Sequence, residues 1–313
     1  MTNGGVALQF SLFNMNISIH WYGILIAGGL LLAILLAMYH AKREGHNPDS
    51  ILDLALIIIP LAVIFARIYY VVFNWNLDYA GKPFWHVFAV WEGGLGIYGG
   101  VIGGFLGVLL YSKLINKKIP FINLLDILAP SLILGQAIGR WGNFLNQEAY
   151  GYAVTNPAWQ WFPASVYITV PKIAGQQPGW YMATFFYESM WSFLIFAFLF
   201  FYFRNYKKRK PGDIFWFYLL LYGIGRAVIE GFRTDSLYIP GTSIRVSQWL
   251  SILLVIASAC VLLLPLVKEV IAEVKNRRLA TENVQLDDSL KLKTDVEDTP
   301  EDNGIGKDTK KEE

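Results

Sequence analysis

Charge is scarce in this 313-residue chain. Asp, Glu, Lys and Arg make up 16% of it, against 55% hydrophobic residues. An ordinary soluble domain carries about 25% charged residues. The mean hydropathy of +0.40 agrees, so the composition is that of a polytopic membrane protein. Cysteine is nearly absent: Cys260 alone excludes an internal disulfide framework and a multi-cysteine metal site. The four histidines, His20, His40, His46 and His86, form no metal-ligand spacing. No Walker loop or dinucleotide fingerprint occurs. Nucleic acid is not among the expected partners. No Lys or Arg precedes Lys42. A cleavable leader has a basic start, so the N-terminus is expected to be retained.

The apolar residues lie in long runs. Seven are long enough for the roughly 20 residues that a crossing needs: 19–41, 51–74, 94–115, 120–139, 183–203, 212–232 and 246–267. The expected fold class is all-α, with seven transmembrane helices. Basic residues cluster at Lys42 and Arg43, at Lys117 and Lys118, at Arg204 and Lys207 to Lys210, and at Lys268, Lys275, Arg277 and Arg278. The alternate loops hold only Lys82, Lys172, Arg233 and Arg245. Basic loops stay cytoplasmic, which predicts an outer N-terminus (1–18) and a cytoplasmic C-terminus. Residues 140–182 read as a small outer insertion, rich in Trp, Tyr, Pro and Gly, with a short strand or hairpin in "ASVYITV". Residues 268–313 read as a charged tail too poor in apolar surface to fold.

Each charge within a span costs about 2.5–3.5 kcal/mol on insertion scales and needs a reason. Asp53, Arg67, Asp126, Arg140, Glu188, Arg226 and Glu230 lie in or at the ends of spans. The bland account of each is a buried packing pair or a snorkelling side chain. Asp53 reads best as an N-terminal cap. Arg67 and Asp126 fit packing and function equally. In "YGIGRAVIEGFR", Tyr222, Arg226, Glu230 and Arg233 share one helical face. Gln136, Arg140 and Asn143 share another. Glycines at 135 and 139, and at 96, 99, 100, 103, 104 and 107, permit close helix packing, and the third helix is expected to offer its backbone to the fourth. Cys260 lies in the apolar run "IASACVLLLP" and reads as ordinary packing.

Arginine is the preferred ligand of phosphate. Two arginines, two glutamates, amides and a tyrosine converging near the outer boundary predict a lateral cavity for an anionic phospholipid head group. Spacing alone leaves open whether that lipid is substrate or ligand.

The segments "IHWYG", "WEGGLGIYGG", "GRWGNFLNQEAYG", "YES" and "YGIGRAVIEGFR", in that order, resemble the prolipoprotein diacylglyceryl transferases of bacteria. The resemblance covers residues 16–267. It implies a multi-pass enzyme of the bacterial cell membrane, without cofactor. Such an enzyme moves the diacylglyceryl group of phosphatidylglycerol to the lipobox cysteine thiol of a prolipoprotein signal peptide. A thioether forms and glycerol-1-phosphate leaves. The implied functional positions are Tyr22, Arg140, Asn143, Asn146, Glu148, Gly151, Tyr222, Arg226 and Glu230. The family pattern often has His where this chain has Tyr98. A His there would be a base for a thiol of pKa about 8.5, whereas Tyr ordinarily titrates near 10. Tyr98 and His20 are the candidates for that role. Arg140 and Arg226 are expected to hold the phosphate, with Glu148 and Glu230 orienting them or binding the head-group hydroxyls. An anion transporter, an intramembrane protease and a non-catalytic lipid-binding scaffold are the rival readings. No internal repeat supports the first.

Overall fold

The computed structural model describes residues 6–12, 15–171, 173, 175–206, 209–239 and 241–297. The chain divides after Cys260 into two compact units. All seven apolar runs become helices: α1 (Trp21–Arg43), α2 (Asp49–Phe73), α3 (Ile97–Leu110), α4 (Phe121–Leu145), α5 (Thr184–Ala197), α6 (Asp213–Glu230) and α7 (Val246–Glu297). The chain is an all-α polytopic membrane protein: among the described residues, six helical stretches are long and apolar enough to cross a bilayer. The seventh run, α6, has 18 residues of which Asp213, Arg226 and Glu230 are charged, so length and composition alone do not mark it.

Two antiparallel hairpins accompany the helices. The first pairs β1 (Val6–Leu12) with β2 (Met15–His20) and leads directly into α1. It was not expected from the sequence. The second pairs β3 (Ser165–Ile168) with β4 (Gly179–Met182), with Val166 opposite Tyr181, and falls in the outer insertion where a strand is expected.

Helix α4 runs past its expected end at residue 139 through Leu145. Nothing in "GRWGNFL" breaks a helix, and Arg140 and Asn143 therefore stand on its last turns. The insertion begins only after Leu145. The glycines also have other neighbours than expected. A Cβ on Gly99 or Gly103 would run into the Phe65 or Leu61 carbonyl, and one on Gly107 would stand 3.1 Å from the Ile58 Cα. Helix α3 thus turns its glycine face to α2, not α4. Helix α4 takes α1 instead, with Gly29 beside Ile138 and Gly135. Small residues signal a close approach without naming the partner.

Arg67 and Asp126 both prove structural. Buried Arg67 donates Nε to the Val87 carbonyl (2.8 Å), Nη2 to His86 (2.6 Å) and Nη1 to Gly93 and Gly94 (2.6 and 3.2 Å). It holds the 86–94 segment that precedes α3. Asp126 accepts from the backbone N–H groups of Gly212 (2.7 Å) and Phe215 (2.9 Å), satisfying the start of α6 from another helix. Asp53 is no cap: α2 begins four residues earlier, and Asn47 Oδ1 accepts from the Asp49 N–H at 3.1 Å.

The tail from residue 268 on is expected to be without structure. It is helical as far as Glu297, as the rest of α7. Its Ala, Leu, Glu, Lys and Arg are good helix formers, and the i,i+4 pair Glu273–Arg277 closes at 2.6 Å. The remainder of the expected tail, 298–313, lies outside the described residues.

Gly103→Ala should lower stability by about 1–3 kcal/mol, the usual cost of overpacking. Gly28→Ala, where a Cβ meets nothing within 4 Å, should not. Thermal unfolding of the two variants in detergent checks the contrast.

Candidate active site

Three helices bring their charges to one point. Glu188, on α5 and 7% exposed, sits between Arg140 of α4 and Arg226 of α6. Its Oε2 is 2.5 Å from Arg140 Nε, and its Oε1 is 2.5 Å from Arg226 Nη1. Arg233, just beyond α6, places Nη1 3.6 Å from the same Oε1. Arg226 also pairs with Glu230 one turn on, Nη2 to Oε2 at 2.8 Å. Glu230 is 1% exposed. Arg233 is held in turn by Asp235 (2.7 Å). Burial works against the Arg233 charge, but Asp235, Glu188 and Glu230 together raise its pKa above the ordinary value.

The packing around these charges explains why the helices meet there. Gly225 has no side chain to keep the Trp191 indole off α6, and Trp191 Nε1 donates to the Leu221 carbonyl at 2.9 Å. Ser189 Oγ donates to the Ala137 carbonyl (2.9 Å) and accepts from Trp141 Nε1 (3.1 Å), joining α5 to α4 beside Glu188. A narrow cleft results, lined by Gln136, Arg140, Glu188, Trp191, Ser192, Tyr222, Gly225, Arg226 and Ile229. Tyr222 stacks on Tyr218, ring centroids 5.8 Å apart.

The end of α4 forms a second group. Glu148 Oε1 accepts from Asn143 Nδ2 and Asn146 Nδ2, both at 3.2 Å. Gln147 and Ala149, on either side, have φ of 50° and 55°, a left-handed backbone unusual outside glycine. The neighbours enforce it. Gln147 Oε1 accepts from Thr169 N, Thr169 Oγ1 and Val170 N, and the Ala149 carbonyl accepts from Thr184 Oγ1 at 2.6 Å. Locally strained turns of this sort persist where surroundings over-determine them. Gly151 is enclosed by the Phe232 carbonyl, Met182 and Thr184, and bridges Arg233. Its place is at the crossing of the insertion with α5 and the end of α6. Tyr22 lies over Gly142, where a Cβ would meet its ring at 2.6 Å.

The expected residues thus divide. Arg140, Arg226, Glu230 and Tyr222 come together at the cleft. Asn143, Asn146 and Glu148 cluster at the adjoining turn. The carboxylate that joins the arginines is Glu188, which the sequence showed only as an intramembrane charge within "YES". Tyr98 stands apart: its hydroxyl meets Ser247 Oγ of α7 at 3.0 Å and its ring meets Tyr69. His20 is exposed at the end of β2, and its side chain forms no hydrogen bond or ion pair among the described residues. Cys260 is exposed on α7.

The family described as prolipoprotein diacylglyceryl transferase matches residues 10–264. The chain belongs to that family. A phosphatidylglycerol–prolipoprotein diacylglyceryl transferase of Oceanobacillus iheyensis is 46% identical over 242 residues, covering 77% of this chain and 82% of the relative. Enzymes of that name from Streptococcus agalactiae and Streptococcus pyogenes are 46% identical over 245 and 240 residues, covering 76% and 77% of this chain and 88% of each relative. Its family membership and long apolar helices make the chain a multi-pass membrane protein.

Removing one partner of a buried ion pair costs about 3–5 kcal/mol, because the other charges stay behind uncompensated. Glu188→Ala strands Arg140, leaves Arg226 with Glu230 alone, and should lose stability on that scale. Asp235→Ala, whose side chain is 32% exposed, should lose about 0–1 kcal/mol. Thermal unfolding in one detergent compares them.

Proposed function

We propose that this chain is a bacterial cell-membrane enzyme that transfers the diacylglyceryl group of phosphatidylglycerol to the lipobox cysteine thiol of prolipoproteins. The observation that carries the reading is the arginine pair on α4 and α6, bridged by one buried carboxylate in a narrow cleft between apolar helices. A phosphate makes the same demands on two guanidinium groups as that carboxylate does. The phosphate diester of the lipid takes the place of Glu188 between Arg140 and Arg226, and Arg233 adds charge nearby. Tyr222 completes the wall, and Glu230 holds Arg226 from behind. Asn143, Asn146 and Glu148 face the head-group glycerol. All seven helices cross the membrane, and the positions of the basic clusters support an outer N-terminus.

In the reaction, the thiol sulfur attacks the glycerol carbon that carries the phosphate. The carbon–sulfur bond forms as the carbon–oxygen bond breaks, and glycerol-1-phosphate leaves. The arginines hold the charge that grows on the leaving oxygen. Their positive field also favours the thiolate. The thiol proton passes to water, and glycerol-1-phosphate, a monoester with a second pKa of about 6, leaves mainly as the dianion, so no side-chain base is required. Tyr98, bonded to Ser247, then serves to fix the start of α3 against α7, and His20 has no part in proton transfer.

Arg140→Ala and Arg226→Ala should abolish transfer from phosphatidylglycerol to a lipobox peptide in reconstituted membranes, while folded protein remains. Glycerol-1-phosphate release measures it, and turnover near the wild-type level by either variant would refute the clamp. Tyr98→Phe should keep turnover within about tenfold of wild type, the worth of one hydrogen bond, with an unchanged pH profile. Loss of a limb of that profile would restore Tyr98 as the base.

A further inference from the structure

Gln136 lines the cleft but has no task in phosphate binding. It lies one turn before Arg140 on α4, about 6 Å along the axis toward the middle of the helix. Its Nε2 donates to the Tyr218 hydroxyl at 3.0 Å, while its Oε1 is buried with no hydrogen-bond partner. Buried polar atoms find partners in native proteins, so this one calls for an explanation. Turning the amide over exchanges oxygen and nitrogen within the same outline. The Tyr218 hydroxyl then donates to Oε1, and both Nε2 hydrogens are free for the cleft. Tyr218 itself is buried against α4 and stacked on Tyr222, so it holds the amide in that orientation.

A lipid whose phosphate is held by Arg140 and Arg226 continues from the clamp toward the apolar side. Its glycerol carbons and acyl esters follow within a few covalent bonds, at the depth where Gln136 stands. An ester carbonyl is an acceptor with no hydrogen to give, and an amide N–H is its complement. Water is sparse in such a cleft, so a hydrogen bond made there discriminates strongly.

Building on the donor proposed above, we propose that Gln136 is the ester-recognition residue of the site: its side-chain amide, set by Tyr218, donates to an acyl ester carbonyl of the diacylglyceryl group. The bond fixes the glycerol carbon next to the clamp. It makes the enzyme select diacyl over dialkyl glycerophospholipids, which have the same head group and chains but no carbonyl. Gln136 is thus a specificity residue for the lipid backbone, separate from the arginines that bind its head.

The test compares phosphatidylglycerol with its dialkyl ether analogue as donors for the wild-type protein in liposomes, with a lipobox peptide as acceptor. Wild type should favour the ester lipid by about tenfold in kcat/KM, equivalent to about 1.4 kcal/mol. Gln136→Met, close to Gln in size, should bring the ratio near one by losing turnover on the ester lipid alone. Tyr218→Phe should lower the ratio part of the way. Equal use of both lipids by wild type overturns the inference, as does a preference that survives Gln136→Met. The wild-type ratio decides the matter even if a variant fails to fold. No transfer from either lipid would instead overturn the donor assignment on which the inference rests.

Discussion

One buried carboxylate governs the arrangement of the bundle. Glu188 lies 2.5 Å from Arg140 and from Arg226, with Arg233 within 3.6 Å. A charge left alone among apolar helices is costly, and here four charges depend on one another. Rotating any of α4, α5 or α6 by one residue would leave an arginine or the glutamate facing lipid. The requirement fixes which faces of the three helices meet. Gly225 and Ser189 then allow the contact to be close. In the proposed site, function and architecture share the same atoms, so a substitution in this group acts on both, and activity has to be measured on protein shown to be folded.

The rest of the helix packing is set by small residues and by backbone carbonyls. The glycine face of α3 lets the α2 backbone come close enough that added methyls would strike carbonyl oxygens. Arg67 then gathers four carbonyls from the segment before α3, which fixes how Gly93 to Gly96 enter the helix that carries Tyr98. Arg245 does similar work at the other end of the site. It donates to the Glu230 carbonyl and to the hydroxyls of Tyr152 and Tyr238, joining the insertion to the end of α6. Neither arginine touches the cleft, yet both determine where its walls stand.

What the sequence made legible follows from periodicity. Gln136, Arg140 and Asn143, or Tyr222, Arg226 and Glu230, share a face because residues three and four apart are neighbours on a helix, so each stripe was visible within its own segment. Glu188 was not, because its partners come from two other helices and its own neighbours on α5 are mainly apolar. The glycines told of a close approach but not from which side, so α3 was assigned to α4 when its glycine face meets α2. The tail was read from its charge, although its Ala, Leu and Glu favour a helix, and α7 runs through it. The first hairpin depends on pairing between β1 and β2, which neither strand reveals alone.

In the proposed reaction, charge balance at the cleft bears on turnover. Arg140, Arg226 and Arg233 face Glu188, Glu230 and Asp235, three positive groups against three negative ones. A naked cluster of arginines would bind phosphate tightly but would hold the product, which bears more negative charge than the lipid diester, more tightly still. With Glu188 present, phosphate and carboxylate compete for the same N–H donors. The lipid gains only the difference between two anions, so binding is moderate. Once the carbon–oxygen bond has broken, the return of Glu188 to the arginines helps expel the phosphate. The carboxylate also keeps the arginines in position between turnovers, so little reorganisation is needed when the next phosphate arrives. A buried glutamate beside the proposed phosphate site thus does not weaken the case for phosphate chemistry, because it allows the same arginines to bind a substrate anion and release a more highly charged one.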